Sequence, residues 1–592
     1  MVVYDSLETD VLVIGGGGAG FRAAIAAREK GTDVLLLSKG PLARCGASPM
    51  AGADFTLDGN SLNKLGFTGD PHDSMEKVFN DIVTQGFYLN NQNMIDHYVH
   101  RAPALLKDML DWGLEYYHSD QRAVFTSGIH IMDVLLKKAR SEGVKMMEDV
   151  MLLDLAVEDS TVTGGLALDI KSGKFIHLKA KSVVMATGGW HKAFWPNTGM
   201  RDLSGDGIAA ASRAGARLGN MEFITFCCNI FYDPPIWRGS LAPYVLSLLC
   251  GGRLTNSRGE DILKPYDDYM VKIGTTTEWN KTFLSYLSAK EAREGRGCAN
   301  GGIHYRRGDV PMSTVSMFAG VMFPNWKYKA LDLTEWGKML ENNEPAEVGP
   351  AVEYFEGGIL VSPRFETDIQ GLFAAGECTT GLFGANRVFS AITEMLVQGL
   401  DAGQNAAVYA ATNKSHYNST NHLIDFQRKA ESHFANKTGI GPAKIRREVQ
   451  EKAHKYLGPI RNAGELMDFI AYLESIKNNE IGNLHISSKS RAYNKEWIDA
   501  LELQGIVHLL EAAARCALAR TESRGTHFRE DFPATDNDRW LKESVVSISG
   551  GKLQLTTRNV TVLSTPLPSG SMPYLNMMKK LMQAHSDIGG HH

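Results

Sequence analysis

Apolar residues cluster along this chain in short unbroken runs. Val11–Ile14 reads VLVI, Val34–Leu37 reads VLLL, and a third run, Val183–Met185, leads into Ala186. Runs of this length predict strands buried on both faces, as in a parallel sheet. Between the first two, Phe21 to Lys30 is alanine-rich and predicts a helix that Gly31 ends. Strand, glycine turn, helix and strand within about 30 residues make one βαβ unit. Farther on, residues 422–437 and 506–524 carry apolar positions at helical spacing. Residues 543–563 read as short strands around a turn at Ser549, Gly550 and Gly551.

The glycine turn carries the first chemistry. Gly15, Gly17 and Gly20 form G-x-G-x-x-G, with Gly18 and Ala19 between them, directly after a strand and before a helix. Glycines there let the backbone approach a pyrophosphate, and the helix N-terminus presents N–H groups to it. At the end of the second strand, Ser38 stands where an acidic ribose ligand is expected, followed by Lys39. That position does not separate FAD from NAD, although a serine hydroxyl can serve the ribose. A second signature separates them. The run 181–189 ends in Ala186, Thr187, Gly188 and Gly189, and the stretch 368–387 carries Gly376 and Glu377 after another buried strand. Glu377 is a second candidate for the ribose hydroxyl. A chain that returns so late to its first βαβ unit suggests a split FAD domain with another domain inserted.

Charge and cysteines narrow the classes. The 592 residues carry a net charge of −5, which gives no basic footprint for nucleic acid. The basic stretch 305–309 reads as solvated surface. Seven cysteines without a C-x-x-C pair argue against a zinc site or iron–sulfur cluster bound by this chain alone. No signal-peptide pattern opens the chain, and no run approaches the ~18 apolar residues of a membrane span. The expected location is the cytoplasm, with peripheral membrane association through a partner left open. The terminal GGHH is native or a tag; the sequence does not say which.

Further motifs extend along the chain: IGGGGAG (14–20), ATGG (186–189), SGDGIAAASRAGARLGNMEF (204–223), NSRGED (256–261), AREGRGC (292–298), AAGEC (374–378), GANR (384–387) and TESRGTHFREDFP (521–533). In this order they resemble the flavoprotein-subunit family of succinate dehydrogenase and fumarate reductase, with L-aspartate oxidase and the adenylylsulfate reductase flavoprotein as relatives. The resemblance implies an α/β plus α architecture: a Rossmann-like split FAD-binding domain (1–235 and 350–412), an inserted α+β capping domain (236–349), a C-terminal helical domain (413–535) and an extension (536–592). It places further cofactor contacts at Arg44, Cys45, Gly46, Gly52, Asp206, Arg387, Ser390 and Ala391, beside the glycines, Ser38, Lys39, ATGG and Gly376–Glu377. In the respiratory members, the stretch that reads Arg44-Cys45-Gly46-Ala47 here holds a histidine that carries flavin covalently. Gly46 has no side chain to attach, so FAD is expected to be non-covalent.

The substrate positions depart from the family. Arg387 of GANR corresponds to the arginine that clamps a carboxylate, a role suited to a bidentate guanidinium. The family's proton-donating arginine lies twelve residues before the first arginine of AREGRGC, which here is Lys281. A lysine donates there if burial lowers its pKa toward neutrality. Glu353 replaces a substrate-holding histidine and is expected to repel a dicarboxylate, or to act as an acid or base, or to contact a hydroxyl or amine. Cys227 and Asn229 replace a histidine and a threonine, and Leu248–Gly252 lacks the family's acidic and basic groups. Adjacent Cys227 and Cys228 read as packed thiols, not a redox pair. Arg253 and His304 are nearby polar residues without an assigned role. The resulting expectation is two-electron exchange between FAD and a small organic acid that is larger than fumarate or monoanionic. Electrons would pass to or from an iron–sulfur partner. The alternatives are a non-catalytic electron relay and an adenylylsulfate-reductase-like flavoprotein.

Overall fold

The computed structural model describes residues 5–52, 54–322, 332–380, 382–387, 389–413 and 421–584. The terminal GGHH lies outside them. The first two apolar runs become β1 (Asp5–Ile14) and β2 (Val34–Leu37), paired in parallel with Val11 opposite Val34 and Ile14 opposite Leu37. Val11, Leu12 and Val13 are fully buried, which is why that run shows no alternation. α1 (Gly18–Glu29) joins the two strands. With β3 (Lys145–Met147), β4 (Val150–Glu158), β5 (Thr161–Asp169) and β6 (Lys174–Met185), the sheet runs β3-β2-β1-β6-β5-β4, and α2 (Asp206–Arg213) packs against β4.

An antiparallel sheet follows, in the order β7 (Ile224–Phe231), β10 (Ala346–Phe355), β9 (Ile303–Arg306) and β8 (Arg253–Thr255). Its β7–β10 register slips between Cys227 and Ile230, where Asn229 takes φ +57°. Between these strands lie α3 (Ala242–Cys250) and α4 (Asn280–Arg293), both packed on β7.

The chain then comes back. β11 (Leu372–Ala374) pairs in parallel with the end of β6, Leu372 opposite Val183, while the start of β6 pairs with β5. The twelve-residue β6 therefore takes two partners on one edge. α5 (Ala391–Thr412) lies against α1, and a Cβ on Gly403 would come 2.2 Å from Ala23 O, so small residues set that close approach.

Helices α6 (Ala463–Ser475) and α7 (Lys495–Ala519) pack together, followed by the hairpin β12 (Lys542–Ser549) and β13 (Lys552–Asn559). Gly550 and Gly551 turn the hairpin with φ of +56° and +75°. A fully buried ion network holds this part to the rest: Arg520 reaches Glu222 at 2.7 Å and Arg524 reaches Glu522 at 2.8 Å. The adjoining loop grips the GANR segment. Thr526 N donates to Ala385 O at 2.9 Å, and Ala385 N donates to Gly86 O at 3.0 Å. Backbone contacts on both sides thus fix the residues just before Arg387. Among the described residues no helix is long and apolar enough to cross a membrane.

Candidate active site

The glycine turn forms a cradle that side chains would fill. Gly15 has φ +124°, and a Cβ there would lie 2.1 Å from Ala186 O. A Cβ on Gly20 would lie 1.8 Å from Gly15 O. The helix cap Gly17 gives no side-chain hydrogen bond to the first turn of α1, and Gly18 N donates to Ser48 Oγ at 3.1 Å. Gly16 and Gly17, the residues between the tight turn and the helix, are thus left as backbone alone. This suits the bare N–H surface that an FAD pyrophosphate requires.

The other sequence-expected cofactor residues spread around that turn. Ser38 is fully buried and hydrogen-bonded to Cys45 Sγ at 3.2 Å. Burial first, then the Asp202 carboxylate, pushes the Cys45 thiol up to about 11. Lys39 contacts Ser204 at 2.5 Å, Asp206 and Glu502, and the last is 2.7 Å away. Gly46 has φ +74°, donates its N–H to Asp202 at 2.7 Å, and faces open space where a Cβ would point. Arg44 is half-exposed and pairs with Asp133 at 2.7 Å, and Gly52 is exposed. Ser390 caps α5, whose first residue is Ala391, and donates to Asp54 O at 2.5 Å.

Glu377 faces the ATGG segment. Its Oε2 accepts from Gly189 N at 3.1 Å, and its buried Oε1, 3.6 Å from His191 Nε2, makes no hydrogen bond. The Thr187 hydroxyl, in the same ATGG segment and close to Gly207, likewise makes no hydrogen bond. A buried carboxyl oxygen without a hydrogen bond, on a side chain that faces the ATGG segment, fits a ligand hydroxyl such as a dinucleotide brings. Burial raises Glu377 to about 8. Glu394, which accepts from Tyr354 Oη at 2.5 Å, is raised to about 8, and Glu356, which accepts from Thr225 Oγ1 at 2.6 Å, to about 7, both by burial first.

The three substrate candidates meet. Arg387, Lys281 and Glu353 form one cluster: Glu353 Oε2 is 3.0 Å from Lys281 Nζ and 3.3 Å from Arg387 Nη2. Arg387 also donates to Phe389 O at 3.1 Å, and its guanidinium lies 5.0 Å from the centre of the Tyr354 ring. Glu278 completes the cluster, 2.5 Å from Lys281 Nζ and 4.0 Å from Arg387 Nη2. Lys281 is only 3% exposed, and the two carboxylates 20% each.

One expectation is reversed. Lys281 is buried, yet its pKa is not lowered. Burial and the Arg387 charge push it down, and the carboxylates of Glu278 and Glu353 outweigh them and hold it above the ordinary lysine range. Conversely, burial raises Glu353, and Lys281 and Arg387 outweigh it and hold the carboxylate ionised below its ordinary value. Cys227 and Cys228 are free buried thiols, and burial pushes Cys227 well up.

Several residues of this region give little or no sign in the sequence. Glu278 sits one helical turn before Lys281, and that i, i+3 spacing is its only signal. Tyr244, which donates to Glu278 Oε1 at 3.4 Å, carries none. Glu356 and Tyr354 lie inside the EYFEGG stretch that begins at Glu353. Glu394 stands out as a carboxylate in the apolar first turn of α5. His191, two positions past ATGG, donates Nε2–H to Glu353 O at 2.7 Å; burial lowers its pKa and keeps it neutral.

The chain is similar to known proteins over most of its length. Residues 10–391 match the family described as FAD binding domain, and residues 446–572 match that described as fumarate reductase flavoprotein C-term. A fumarate reductase (CoM/CoB) subunit of Methanothermobacter marburgensis is 28% identical, covering 89% of this chain and 95% of that protein. The 8-methylmenaquinol:fumarate reductase flavoprotein subunit of Wolinella succinogenes is 30% identical, over 93% of this chain and 91% of its own length. A structure of Mycobacterium smegmatis Sdh1 in complex with UQ1 superposes with a TM-score of 0.84 at 26% identity, covering 94% of this chain and 95% of that one.

Proposed function

The chain belongs to the fumarate reductase flavoprotein family of FAD-dependent oxidoreductases acting on CH–CH bonds, and from that premise we propose that it exchanges two electrons with a small monoanionic organic acid other than plain fumarate. The observation that carries the reading is the buried cluster of Arg387, Lys281, Glu353 and Glu278. Its two cations are already matched by two carboxylates at 2.5–4.0 Å. A dicarboxylate would bring two more negative charges to it. At an effective dielectric of about 20, each unmatched pair near 4 Å costs about 4 kcal/mol.

Arg387 is the carboxylate clamp in this reading. Its Nε is buried without a hydrogen-bond partner, so that edge of the guanidinium fork is available to a ligand oxygen. Lys281 holds a proton at Nζ beside the same position. Tyr354 keeps the guanidinium plane fixed through its ring face, and its hydroxyl is fixed in turn by Glu394. FAD, when bound, supplies the hydride-level two-electron chemistry. We place it non-covalently: Gly46 offers no side chain, and Cys45 is held as a buried, hydrogen-bonded thiol, not a thiolate. The relatives are named as subunits, which supports a separate iron–sulfur protein as electron partner.

The test is anaerobic reoxidation of the reduced flavin by fumarate and by crotonate, followed by flavin absorbance. Saturable reoxidation by crotonate and little by fumarate is expected. Rapid, saturating reoxidation by fumarate would overturn the changed-substrate reading.

A further inference from the structure

Two features of the cluster point to the kind of acid it accepts; the inference rests on the reading just given. The first is the charge count. Lys281 and Arg387 contribute two positive charges, Glu278 and Glu353 two negative ones, in side chains between 3% and 20% exposed. Glu353 occupies the clamp arginine itself, so an incoming carboxylate must displace it. Displacement leaves a buried carboxylate short of a partner, which is costly unless something replaces the lost donor.

The second feature is the kind of atom left unpartnered nearby. Arg387 Nε is a bare donor, whereas Asn229 Oδ1 is a bare acceptor on a side chain only 1% exposed. The Asn229 amide is oriented by its neighbours. Ser247 Oγ donates to Tyr244 O at 2.9 Å, so it accepts from Asn229 Nδ2 at 3.0 Å, which leaves Oδ1 as the free end. The same Tyr244 donates its hydroxyl to Glu278. The region therefore sets the unpartnered Arg387 Nε–H, on a guanidinium already facing Glu353, beside several acceptors: Glu353, Glu278 and Asn229. Among the described residues, the cations of this cluster are Lys281 and Arg387, and both already face carboxylates.

We propose that the substrate is a monocarboxylate bearing a hydrogen-bond donor, amine or hydroxyl, which pairs with Glu353 while the carboxylate takes Arg387. Glu353 is then the specificity-determining residue. An acid without the donor must displace Glu353 from the cations uncompensated, so it binds and turns over more weakly. An acid with it exchanges partners: the donor draws Glu353 from Arg387 and Lys281 and the substrate carboxylate replaces it; an ammonium donor keeps the charge balance, and a hydroxyl leaves one added negative charge, against two for a dicarboxylate.

The experiment is calorimetric binding of saturated acids to the FAD-loaded protein: butanoate, 4-hydroxybutanoate, 4-aminobutanoate and succinate. A hydrogen bond to a charged group gives a preference of about tenfold or more for the donor-bearing acids over butanoate and succinate. Tighter binding of the amine than of the hydroxyl identifies a zwitterionic substrate, and equal binding a neutral donor. Glu353→Gln erases the preference while FAD content stays normal. Should that variant fail to load FAD, Glu278→Gln, which leaves Glu353 in place, is expected to lower the preference for the amine. Equal binding of butanoate, tightest binding of succinate, or a preference unchanged in Glu353→Gln overturns the proposal. The underlying reading is scored separately by flavin reoxidation with crotonate, 4-hydroxycrotonate and 4-aminocrotonate. Preferred binding without reoxidation defeats the redox reading alone; reoxidation by all three at equal efficiency defeats the donor requirement alone.

Discussion

Replacing Lys281 with methionine removes one of two cations from the buried cluster and keeps the stem volume. Glu278 loses its 2.5 Å contact and Glu353 its 3.0 Å contact, and both are left to share Arg387. Breaking a buried pair by deleting one partner costs about 3–5 kcal/mol. The carboxylates are 20% exposed and Arg387 stays 3.3 Å from Glu353, so the lower end applies, about 3 kcal/mol. At an unfolding entropy of about 2.1 cal/mol/K per residue, 592 residues give on the order of 1.2 kcal/mol/K, and the melting temperature falls by about 2–3 °C. The deficit also acquires a pH dependence. With one cation for two carboxylates, the folded pKa of one carboxyl rises above its unfolded value near 4.3. Its neutral form relieves the cluster at low pH, and that relief is lost as pH rises through the raised folded pKa. The gap to the wild type is therefore wider near pH 8 than near pH 5. Differential scanning fluorimetry of Lys281→Met, Glu353→Gln and the double variant, at both pH values, measures this. The double variant should recover part of the loss, since contacting charges couple. Equal shifts at both pH values, with single effects that simply add, would refute the claim that these four side chains act as one electrostatic unit.

Two further outcomes follow from the cofactor side. Gly15→Ala puts a methyl 2.1 Å from Ala186 O at a φ of +124°, so the purified protein should carry little FAD, as read from its flavin-to-protein absorbance ratio; full occupancy would contradict the cradle. Burial raises Glu394 from its ordinary 4.5 to about 8, so the folded state holds a proton that the unfolded state releases between those values. Stability therefore declines as pH rises from about 5 to 8, by at most ~1.4 kcal/mol per pH unit for this group. Glu394→Gln should flatten the decline in melting temperature across that range, and an unchanged slope would show that Glu394 is not the titrating group.

The sequence by itself determined the frame. Unbroken VLVI and VLLL runs, only four residues long and each beside a glycine turn, read as strands buried on both faces, and a glycine turn between strand and helix leaves a bare helix N-terminus. These are local consequences of backbone geometry and burial, so β1, α1 and β2 appear where the pattern put them. The late return at residues 372–374 was legible too, from the buried run ahead of Gly376 and Glu377; that β6 offers it half of an edge shared with β5 came only from the structure. Arg387, Lys281 and Glu353 could be named from motif positions, but their electrical state could not. Whether buried Lys281 is acidic or firmly protonated depends on what stands within a few ångströms of Nζ. Glu353 comes from a strand seventy-two residues away, and Glu278 gives no pattern of its own beyond its spacing. Only tertiary packing brought β10, the start of α4 and the GANR loop together. It clamped that loop between Gly86 and Thr526, and so turned two candidate cations into a compensated cluster. Desolvation and Coulomb terms are both large there and opposite in sign, and the fold alone decides which prevails.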